Sequence, residues 1–377
     1  MLIRNNIWKK DYLRRISVKK QEQRTRKLGN SLLHVFIILS AFLLLQAAAF
    51  AIAPARPTMT VDMITKTGDI IHGAAGFLYG ISSEGVPTTN MLIPLKPKVL
   101  STKGALGTEH PYGDARDVAR TFFEGGGEQI MMYNSNYYAI FQPTVTVEQY
   151  TSDLKNIIAP AVVEWKEQWK QDFNVDPVTG IDDLEINIDE ATIYVPINEN
   201  DPIVFASGSR SINDAWKSYY DAIKAVDPNA RIAGPNDWGF FGYDYYRNFL
   251  RFCLANDCLP DVITWHELDR EDLALIERNV KEYERACETV GIEPIQVVIN
   301  EYATAQDTGV PGRLVNWIAR LEDQKLYGCL PFWHMANNLN DLAAEVNEGN
   351  SAWWVYKWYG DMSGQTLEVR TSNTTYD

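Results

Sequence analysis

Short apolar runs alternate with longer amphipathic segments along most of the chain after residue 57. The short runs end at Gly, Pro, Asn or Asp, which is typical of buried strands followed by turns. The longer segments repeat their apolar residues at helical spacing, as residues 212–226 and 271–290 do. Eight of the short runs predict strands, at residues 77–84, 98–102, 129–134, 191–197, 230–235, 261–266, 295–301 and 328–334.

Strands that alternate with helices predict a parallel sheet, and eight such units predict closure into a (β/α)8 TIM barrel. The predicted barrel covers residues 75–360. An accessory β segment is expected at residues 57–74, before the barrel, and residues 361–377 contain one further strand. Because a lone strand is unstable, this last strand either pairs with residues 57–74 or belongs to a larger β domain. The fold class is therefore α/β, a TIM barrel with a small flanking β element that resembles part of a β-sandwich.

The first part of the chain has a different composition. Residues 1–30 contain ten of the 35 basic residues, and residues 31–53 form an apolar run that ends in small residues. This order is typical of a secretory signal peptide. The apolar run is also long enough to span a bilayer as a retained anchor. Both alternatives place the rest of the chain outside the cytoplasm, because basic residues stay on the cytoplasmic side.

Charge narrows the choice of partners. The whole chain has a formal net charge of −14, and residues 1–51 hold ten basic residues and only two acidic ones. The remainder is therefore strongly acidic, which disfavours nucleic acid because phosphate binding needs a basic surface. A neutral glycan or a cationic polymer is compatible with this charge.

Four cysteines, Cys253, Cys258, Cys287 and Cys329, leave two alternatives. An even number in an exported protein permits disulfides, and the first two are close enough in sequence to pair if a helix turns back there. The other alternative is four buried free thiols. The chain has no CxxC or HExxH pattern, so the sequence predicts no metal site and no cofactor.

Two predicted strands end in the same dipeptide, Asn198-Glu199 on the fourth and Asn300-Glu301 on the seventh. Catalytic groups of a TIM barrel lie at these carboxyl ends of the strands. Hydrolysis of a glycosidic bond with retention needs one carboxylic acid to protonate the leaving oxygen and one carboxylate to attack the anomeric carbon. Two glutamates on facing strand tips supply this pair. The alternative is that both are solvated loop residues.

The segments Ile197-Asn198-Glu199-Asn200 and Ile299-Asn300-Glu301-Tyr302 resemble the two signatures of clan A glycoside hydrolases. Trp333, on the eighth predicted strand, is similar to the tryptophan that floors the sugar subsite in this clan. The resemblance covers residues 75–362. Within the clan, the general layout looks most like glycoside hydrolase family 39 and its relatives.

The resemblance implies roles for individual residues. Glu199 is the expected acid/base and Glu301 the expected nucleophile, while Asn198 is expected to donate to the sugar 2-hydroxyl. His266 lies where the clan often places a residue that touches the nucleophile, with a simple rim histidine as the alternative. The other strand tips supply further candidates for substrate binding: Tyr133, Asn134, Asn236 and Trp238.

These observations predict an exported retaining glycoside hydrolase that cleaves a β-linked glycoside or polysaccharide by double displacement. Its partner is a carbohydrate substrate, and residues 31–51 are a candidate membrane tether. The alternative is a non-catalytic glycan-binding barrel, because a fold alone does not define a function. A binder has no need of both carboxylates, so their presence favours the enzyme.

Overall fold

The computed structural model describes residues 58–138, 145–199, 212–331, 338–345 and 347–371. The chain divides into two units, Met1–Thr60 with Arg370–Asn373 and Val61–Val369 with Thr374–Asp377. Of the smaller unit, the described residues are 58–60, 370 and 371. The signal peptide or anchor expected at residues 31–53 lies outside the described residues and stays a prediction. Within the described ranges, no helix is long and apolar enough to cross a membrane.

Eight parallel strands follow one another around a barrel in the order of the sequence. A separate strand, β1 (Met59–Asp69), precedes them. The first and last barrel strands meet, because the Leu78 amide donates to the Leu330 carbonyl at 2.9 Å. This arrangement confirms the predicted (β/α)8 barrel. Its strands are β2 (Phe77–Leu78), β3 (Val99–Lys103), β4 (Gln129–Tyr133), β5 (Thr192–Val195), β6 (Arg231–Asp237), β7 (Val262–Glu267), β8 (Val297–Tyr302) and β9 (Tyr327–Gly328).

Several of the described helices begin at a side chain that caps them. Asp114 accepts a bond from the Arg116 amide at 3.0 Å at the start of the second helix, and Asp269 and Asp272 form a capping box at the start of the eighth. The described helices are α1 (Thr89–Leu92), α2 (Ala115–Glu124), α3 (Val147–Asp153), α4 (Ala159–Asp172), α5 (Ile188–Ala191), α6 (Ile212–Lys224), α7 (Tyr243–Ala255), α8 (Arg270–Val290), α9 (Pro311–Asp323) and α10 (Ser351–Asp361).

Residues 146–173 have the amphipathic pattern of one long helix, but in the structure this helix is interrupted. A π-helical turn, Leu154–Ile158, separates α3 from α4. Pro160 lies in the first turn of α4 and has no backbone N–H to donate to the preceding turn. The π-helical turn ends shortly before Pro160, because the missing proline N–H would interrupt the backbone hydrogen bonds of a continuous α-helix.

The first barrel strand is also shorter than the sequence predicts. The apolar run extends over residues 77–84, but β2 stops at Leu78 because Tyr79 has a left-handed φ of 55°. A bulky side chain in this region is unusual and ends regular pairing. The eighth strand is described only as Tyr327–Gly328, and residues 332–337 lie outside the described part of the chain.

Side chains alternate between the barrel interior and the helix layer. On β4, Met131 and Tyr133 fill the interior, whereas Met132 joins the layer between strands and helices. The outer layer approaches the sheet closely at Gly234, where a Cβ would come within 2.3 Å of the Trp216 ring. Glycine is therefore required at this position for α6 to pack against β6.

Two irregular registers break this alternation at the carboxyl ends of the strands. On β6, Pro235 pairs with Thr264 and Asp237 with Trp265, so Asn236 is an extra residue. Asn236 has a φ of 62°. On β8, the register with β7 advances by three residues between Val298 and Glu301 while β7 advances by two. Such bulges re-aim side chains at the rims of barrels.

A two-stranded sheet lies beside the barrel. It is formed by β1 and the last described strand, β12 (Gln365–Thr371), which follows a short hairpin of β10 (Ala343–Glu345) and β11 (Glu348–Gly349). The hydroxyl groups of Thr67 and Thr366 lie 2.7 Å apart across the two strands. Of the two alternatives for the final strand, the structure has the one in which it pairs with the N-terminal segment.

All four cysteines are buried free thiols. Cys253 and Cys258 lie at the end of α7, where the Cys258 amide donates to the Cys253 carbonyl at 3.0 Å. The helix therefore does turn back between them, as the disulfide alternative requires, but the structure has thiols at both positions.

Candidate active site

The fourth barrel strand delivers Glu199 to the barrel mouth through a short irregular segment. Pro196 follows β5 and has no N–H for ladder pairing, so the strand ends there. Glu199 has a φ of 51°, and its amide donates to the Asn236 carbonyl at 2.9 Å. Asn198 accepts a bond on Oδ1 from Asn236 Nδ2 at 3.0 Å. The Asn-Glu tip of β5 is thus tied to the bulge of β6.

Glu301 reaches the same mouth from β8. In a regular strand, Asn300 and Glu301 would face opposite sides of the sheet. The irregular register of β8 instead allows both side chains to contact groups at the mouth. Glu301 Oε1 accepts a bond from the Tyr133 hydroxyl at 3.1 Å. The Glu301 side chain is 13% exposed and that of Glu199 is 32% exposed.

His266, at the end of β7, lies between the two glutamates. Its Nδ1 is 3.4 Å from Glu199 Oε1, and its Nε2 is 3.6 Å from Glu301 Oε1. One oxygen of each glutamate and one ring nitrogen lie within 4.8 Å of one another. The histidine is fully buried. The sequence left open whether His266 touches the nucleophile or lines the rim, and in the structure it approaches both carboxylates.

The protonation of these three groups is coupled. Burial alone would lower the pKa of His266, but the charges of Glu301 and Glu199 outweigh it and raise this pKa. The contact with His266 lowers the pKa of Glu199, although burial opposes it. Burial raises the pKa of Glu301, and the Glu199 charge adds to the increase, while His266 and Tyr133 oppose it. The two carboxyl groups therefore differ in acidity.

Amide side chains connect the glutamate tips underneath. Asn300 Nδ2 donates to the Tyr133 hydroxyl at 2.8 Å and to Asn236 Oδ1 at 2.6 Å. Asn300 and Asn236 are fully buried. In the sequence, Asn300 stands out only as part of the dipeptide motif, and no role of its own was predicted for it. The repeat of Asn-Glu at both tips was the one signal that pointed to it.

Several predicted substrate contacts lie beneath the surface. Tyr133, Asn134, Asn236 and His266 are all buried in the described structure, and their contact with a substrate stays a prediction. Trp238 lies on the loop after β6 and is 60% exposed, with its ring 5.3 Å from the ring of Phe241. Trp333 lies outside the described residues.

Strand alternation separates His266 from its neighbour Glu267. The Glu267 carboxylate faces the helix layer and accepts bonds from Trp265 Nε1 at 2.6 Å and Asn279 Nδ2 at 2.9 Å. Burial raises the pKa of Glu267 to about 8. Despite its place in the sequence, this acid has no described contact with the catalytic candidates.

Within the described residues, Glu199, His266 and Glu301 are also the one group of three side chains that could hold a metal ion. Two carboxylates and an imidazole suit a divalent cation. His266 lies between the two carboxylates, whose charges raise its pKa, and a protonated imidazole compensates one of the two negative charges.

We expect His266→Gln to move the whole pH profile of activity to higher pH. Because His266 lowers the pKa of both Glu199 and Glu301, its loss raises both values, which set the two limbs of a bell-shaped profile. The measurement is kcat/KM against pH. Glu267→Gln is the matched control, because it removes the adjacent carboxyl on the opposite face. Limbs of the profile that stay in place or move to lower pH would contradict the claim that His266 lowers both pKa values.

Two curated relatives match most of the described chain. The 3-O-beta-L-arabinopyranosyl-alpha-L-arabinofuranosidase of Bifidobacterium pseudocatenulatum is 30% identical over 350 residues, which are 84% of this chain and 36% of the relative. The 3-O-alpha-D-galactosyl-alpha-L-arabinofuranosidase of Bifidobacterium longum subsp. longum is 29% identical over 352 residues, 84% of this chain and 31% of the relative. The chain spans about a third of the length of these relatives.

Solved structures share the barrel. N2152 from Neocallimastix frontalis matches with a TM-score of 0.68 at 24% identity, over 84% of this chain and 75% of that one. A GH39 β-xylosidase from Caulobacter crescentus matches with a TM-score of 0.53 at 11% identity, over 84% and 77%. The family 51 α-L-arabinofuranosidase AbfB from Bifidobacterium longum also has a TM-score of 0.53, at 12% identity, over 84% and 78%. No protein-family model matches the chain.

Because their sequence identities are below 25%, the solved structures show only that the fold is shared. The two sequence relatives are named as glycosidases. The chain is similar in sequence to two glycosidases and shares its barrel with solved glycoside hydrolases, among them members of families 39 and 51. These similarities are consistent with the predicted resemblance to clan A glycoside hydrolases.

Proposed function

We propose that this protein is a retaining glycosidase with Glu301 as nucleophile and Glu199 as acid/base. The observation that carries the proposal is the approach of the two carboxylates, with one oxygen of each within 4.8 Å. Retaining enzymes hold the two groups roughly 5–5.5 Å apart, whereas inverting enzymes need roughly 6.5–9.5 Å to fit a water between sugar and base. The close approach supports direct attack by a carboxylate.

In the first step, Glu301 attacks the anomeric carbon and forms a glycosyl ester. At the same time Glu199 gives its proton to the glycosidic oxygen, and the leaving group departs as an alcohol. The Tyr133 hydroxyl, 3.1 Å from Glu301 Oε1, and His266 stabilise the ionised nucleophile before attack. Asn198 lies beside Glu199 and is the expected donor to the sugar 2-hydroxyl.

In the second step, Glu199 takes a proton from a water molecule, whose oxygen attacks the anomeric carbon. The ester bond breaks, and Glu301 leaves as a carboxylate. Two inversions give net retention.

Glu199 must hold a proton when the substrate binds, although His266 lowers its pKa in the free protein. The Glu199 side chain is one-third exposed, so a bound sugar removes water from it. Desolvation disfavours the charged form and raises the pKa of a carboxyl group. Substrate binding thus shifts Glu199 toward the protonated form that the first step needs.

For the substrate, we propose an α-L-arabinofuranoside that carries a second sugar at O3. The names of both curated relatives describe such a glycoside. In our proposal this bond replaces the β linkage expected from the sequence. The acidic chain is compatible with a neutral glycan of this kind, because no charge repulsion opposes its approach.

The test is hydrolysis of α-L-arabinofuranosides with and without a 3-O-linked arabinopyranosyl or galactosyl group, followed by proton NMR. We expect hydrolysis of the substituted compounds, with the α anomer of the released sugar formed first. The β anomer as first product would exclude retention. Hydrolysis of none of them, together with binding seen by calorimetry, would favour the alternative of a non-catalytic glycan-binding barrel.

We also propose that the protein acts outside the cytoplasm. This proposal is supported by the basic residues 1–30 and the apolar run 31–53, which together are typical of an export signal or anchor. The mass of the N-terminal peptide of the exported protein distinguishes the alternatives. A start after residue 53 indicates a cleaved signal, whereas an intact N-terminus in the membrane fraction indicates an anchor.

A further inference from the structure

A continuous chain of buried polar groups links the two catalytic tips. At its centre, Asn300 donates both hydrogens of its amide nitrogen, one to Tyr133 at 2.8 Å and one to Asn236 at 2.6 Å. Asn300 and Asn236 are fully buried, and Tyr133 is 2% exposed. Water therefore cannot replace these bonds, and a buried acceptor without its donor is costly.

Near Glu301, the bond from Asn300 to Tyr133 fixes the direction of the Tyr133 hydroxyl hydrogen. The Tyr133 oxygen accepts from Asn300, so the single hydroxyl hydrogen is available for Glu301 Oε1, 3.1 Å away. A tyrosine hydroxyl has one hydrogen and rotates to suit its neighbours. Without the Asn300 donor, the Tyr133 oxygen loses the bond that orients its hydroxyl, and the hydrogen is less firmly directed at Glu301.

On the acid/base side, the same residue fixes the orientation of two amides. Asn236 accepts from Asn300 on its oxygen, so its nitrogen faces the tip of β5 and donates to Ile197 O and Asn198 Oδ1, each at 3.0 Å. The Asn198 oxygen is thereby occupied. Its amide nitrogen is the end left to donate elsewhere, and the hydrogen-bond network is what assigns this orientation.

We propose that Asn300 is a positioning residue that sets the donor directions at both catalytic tips, through Tyr133 to Glu301 and through Asn236 to Asn198. An asparagine suits this place because one nitrogen carries two hydrogens in a fixed plane. Aspartate offers no donor when ionised, and serine offers one. This role gives a separate purpose to Asn300, which precedes Glu301 as Asn198 precedes Glu199. The proposal rests on the proposed function.

The test is a double-mutant cycle of Asn300→Leu and Tyr133→Phe. We expect each single variant to lower kcat/KM by roughly 10- to 100-fold, as for other hydrogen bonds to charged groups. We expect the double variant to be little worse than either single one, because both changes break the same chain. Multiplied effects would overturn the proposal, since a merely structural Asn300 acts independently of the tyrosine proton.

A second readout does not need turnover. Titration of Glu301 by carbon-13 NMR of labelled carboxyl groups should show its pKa displaced upward in Asn300→Leu and in Tyr133→Phe, because the Tyr133 bond lowers this pKa. An unchanged Glu301 titration in Asn300→Leu would overturn the proposal even if the protein hydrolysed no glycoside. Wild-type turnover alone tests the proposed function, so the two failures are distinguishable.

Ile299→Val is the matched control, because Ile299 is the neighbouring residue of β8 and packs in the helix layer. It should change neither the Glu301 titration nor the coupling with Tyr133→Phe. Thermal unfolding checks that the variants are folded. If Asn300→Leu does not fold, Asn300→Ser enters the same cycle, since it is smaller and its hydroxyl supplies one donor at most. Ser is then expected to retain partial coupling with Tyr133→Phe, and full additivity would overturn the proposal.

Discussion

Glu301→Gln is expected to abolish turnover, with kcat reduced by roughly 10⁴-fold or more, about 5 kcal/mol in the barrier. The amide keeps the size of the side chain but cannot form the glycosyl ester. The loss should be the same for substrates with good and poor leaving groups, because the first step fails for both. The measurement is kcat on an aryl α-L-arabinofuranoside and on a 3-O-substituted arabinofuranoside.

A mechanism-based label identifies the nucleophile directly. An activated 2-fluoro glycoside should form an adduct on the peptide that contains Glu301 in the wild type, and none in Glu301→Gln. Glu271→Gln, an exposed glutamate in the first turn of α8, is the control and should label normally. An adduct on Glu199 would reverse the two roles, an outcome that the lowered pKa of Glu199 in the free protein makes worth testing.

Glu199→Ala is expected to separate substrates by leaving group. General acid catalysis contributes roughly 10²- to 10⁴-fold, so hydrolysis of a natural glycoside should fall by about that factor. A dinitrophenyl glycoside needs no protonation of its leaving oxygen and should form the glycosyl ester nearly as fast as in the wild type. The ester should then accumulate, since no base activates water. The measurement is a pre-steady-state burst of dinitrophenolate.

A small anion provides the second half of this test. Azide needs no general base, and it should release the accumulated ester of Glu199→Ala as a glycosyl azide with retained configuration. Glu199→Gln, which fills the space of the carboxyl group, should respond less to azide than the alanine variant. Equal loss on all leaving groups, with no burst and no effect of azide, would show that Glu199 is not the acid/base.

The barrel was predictable because its strands and helices follow rules that operate within short segments. Apolar runs that stop at turn residues predicted every described barrel strand. The positions of Glu199 and Glu301 at strand tips were predictable for the same reason. The errors concern backbone irregularities, such as the π turn Leu154–Ile158 inside the expected long helix.

The depth of the site was not predictable from the sequence. Tyr133, Asn236 and His266 are buried and contact the two glutamates or their neighbours, which their places at strand tips did not predict, and their contact with a substrate stays a prediction. Position at a strand tip predicts that a side chain is near the mouth, but not how far it projects. That distance depends on bulges and on side-chain contacts between strands that are far apart in the sequence.

The extra residue in β8 has a consequence for how this barrel is compared with others. Counting outward from Val297, a regular strand would assign an inward position to Asn300 and an outward one to Glu301. A fixed-spacing motif anchored at the start of the strand would therefore name the wrong residue as nucleophile. Deleting one residue between Val298 and Glu301 would restore the regular ladder and keep the carboxylate in register with His266. Sequence alignments of this segment must therefore preserve which residues face inward at the strand tip, rather than the number of residues from the start of the strand.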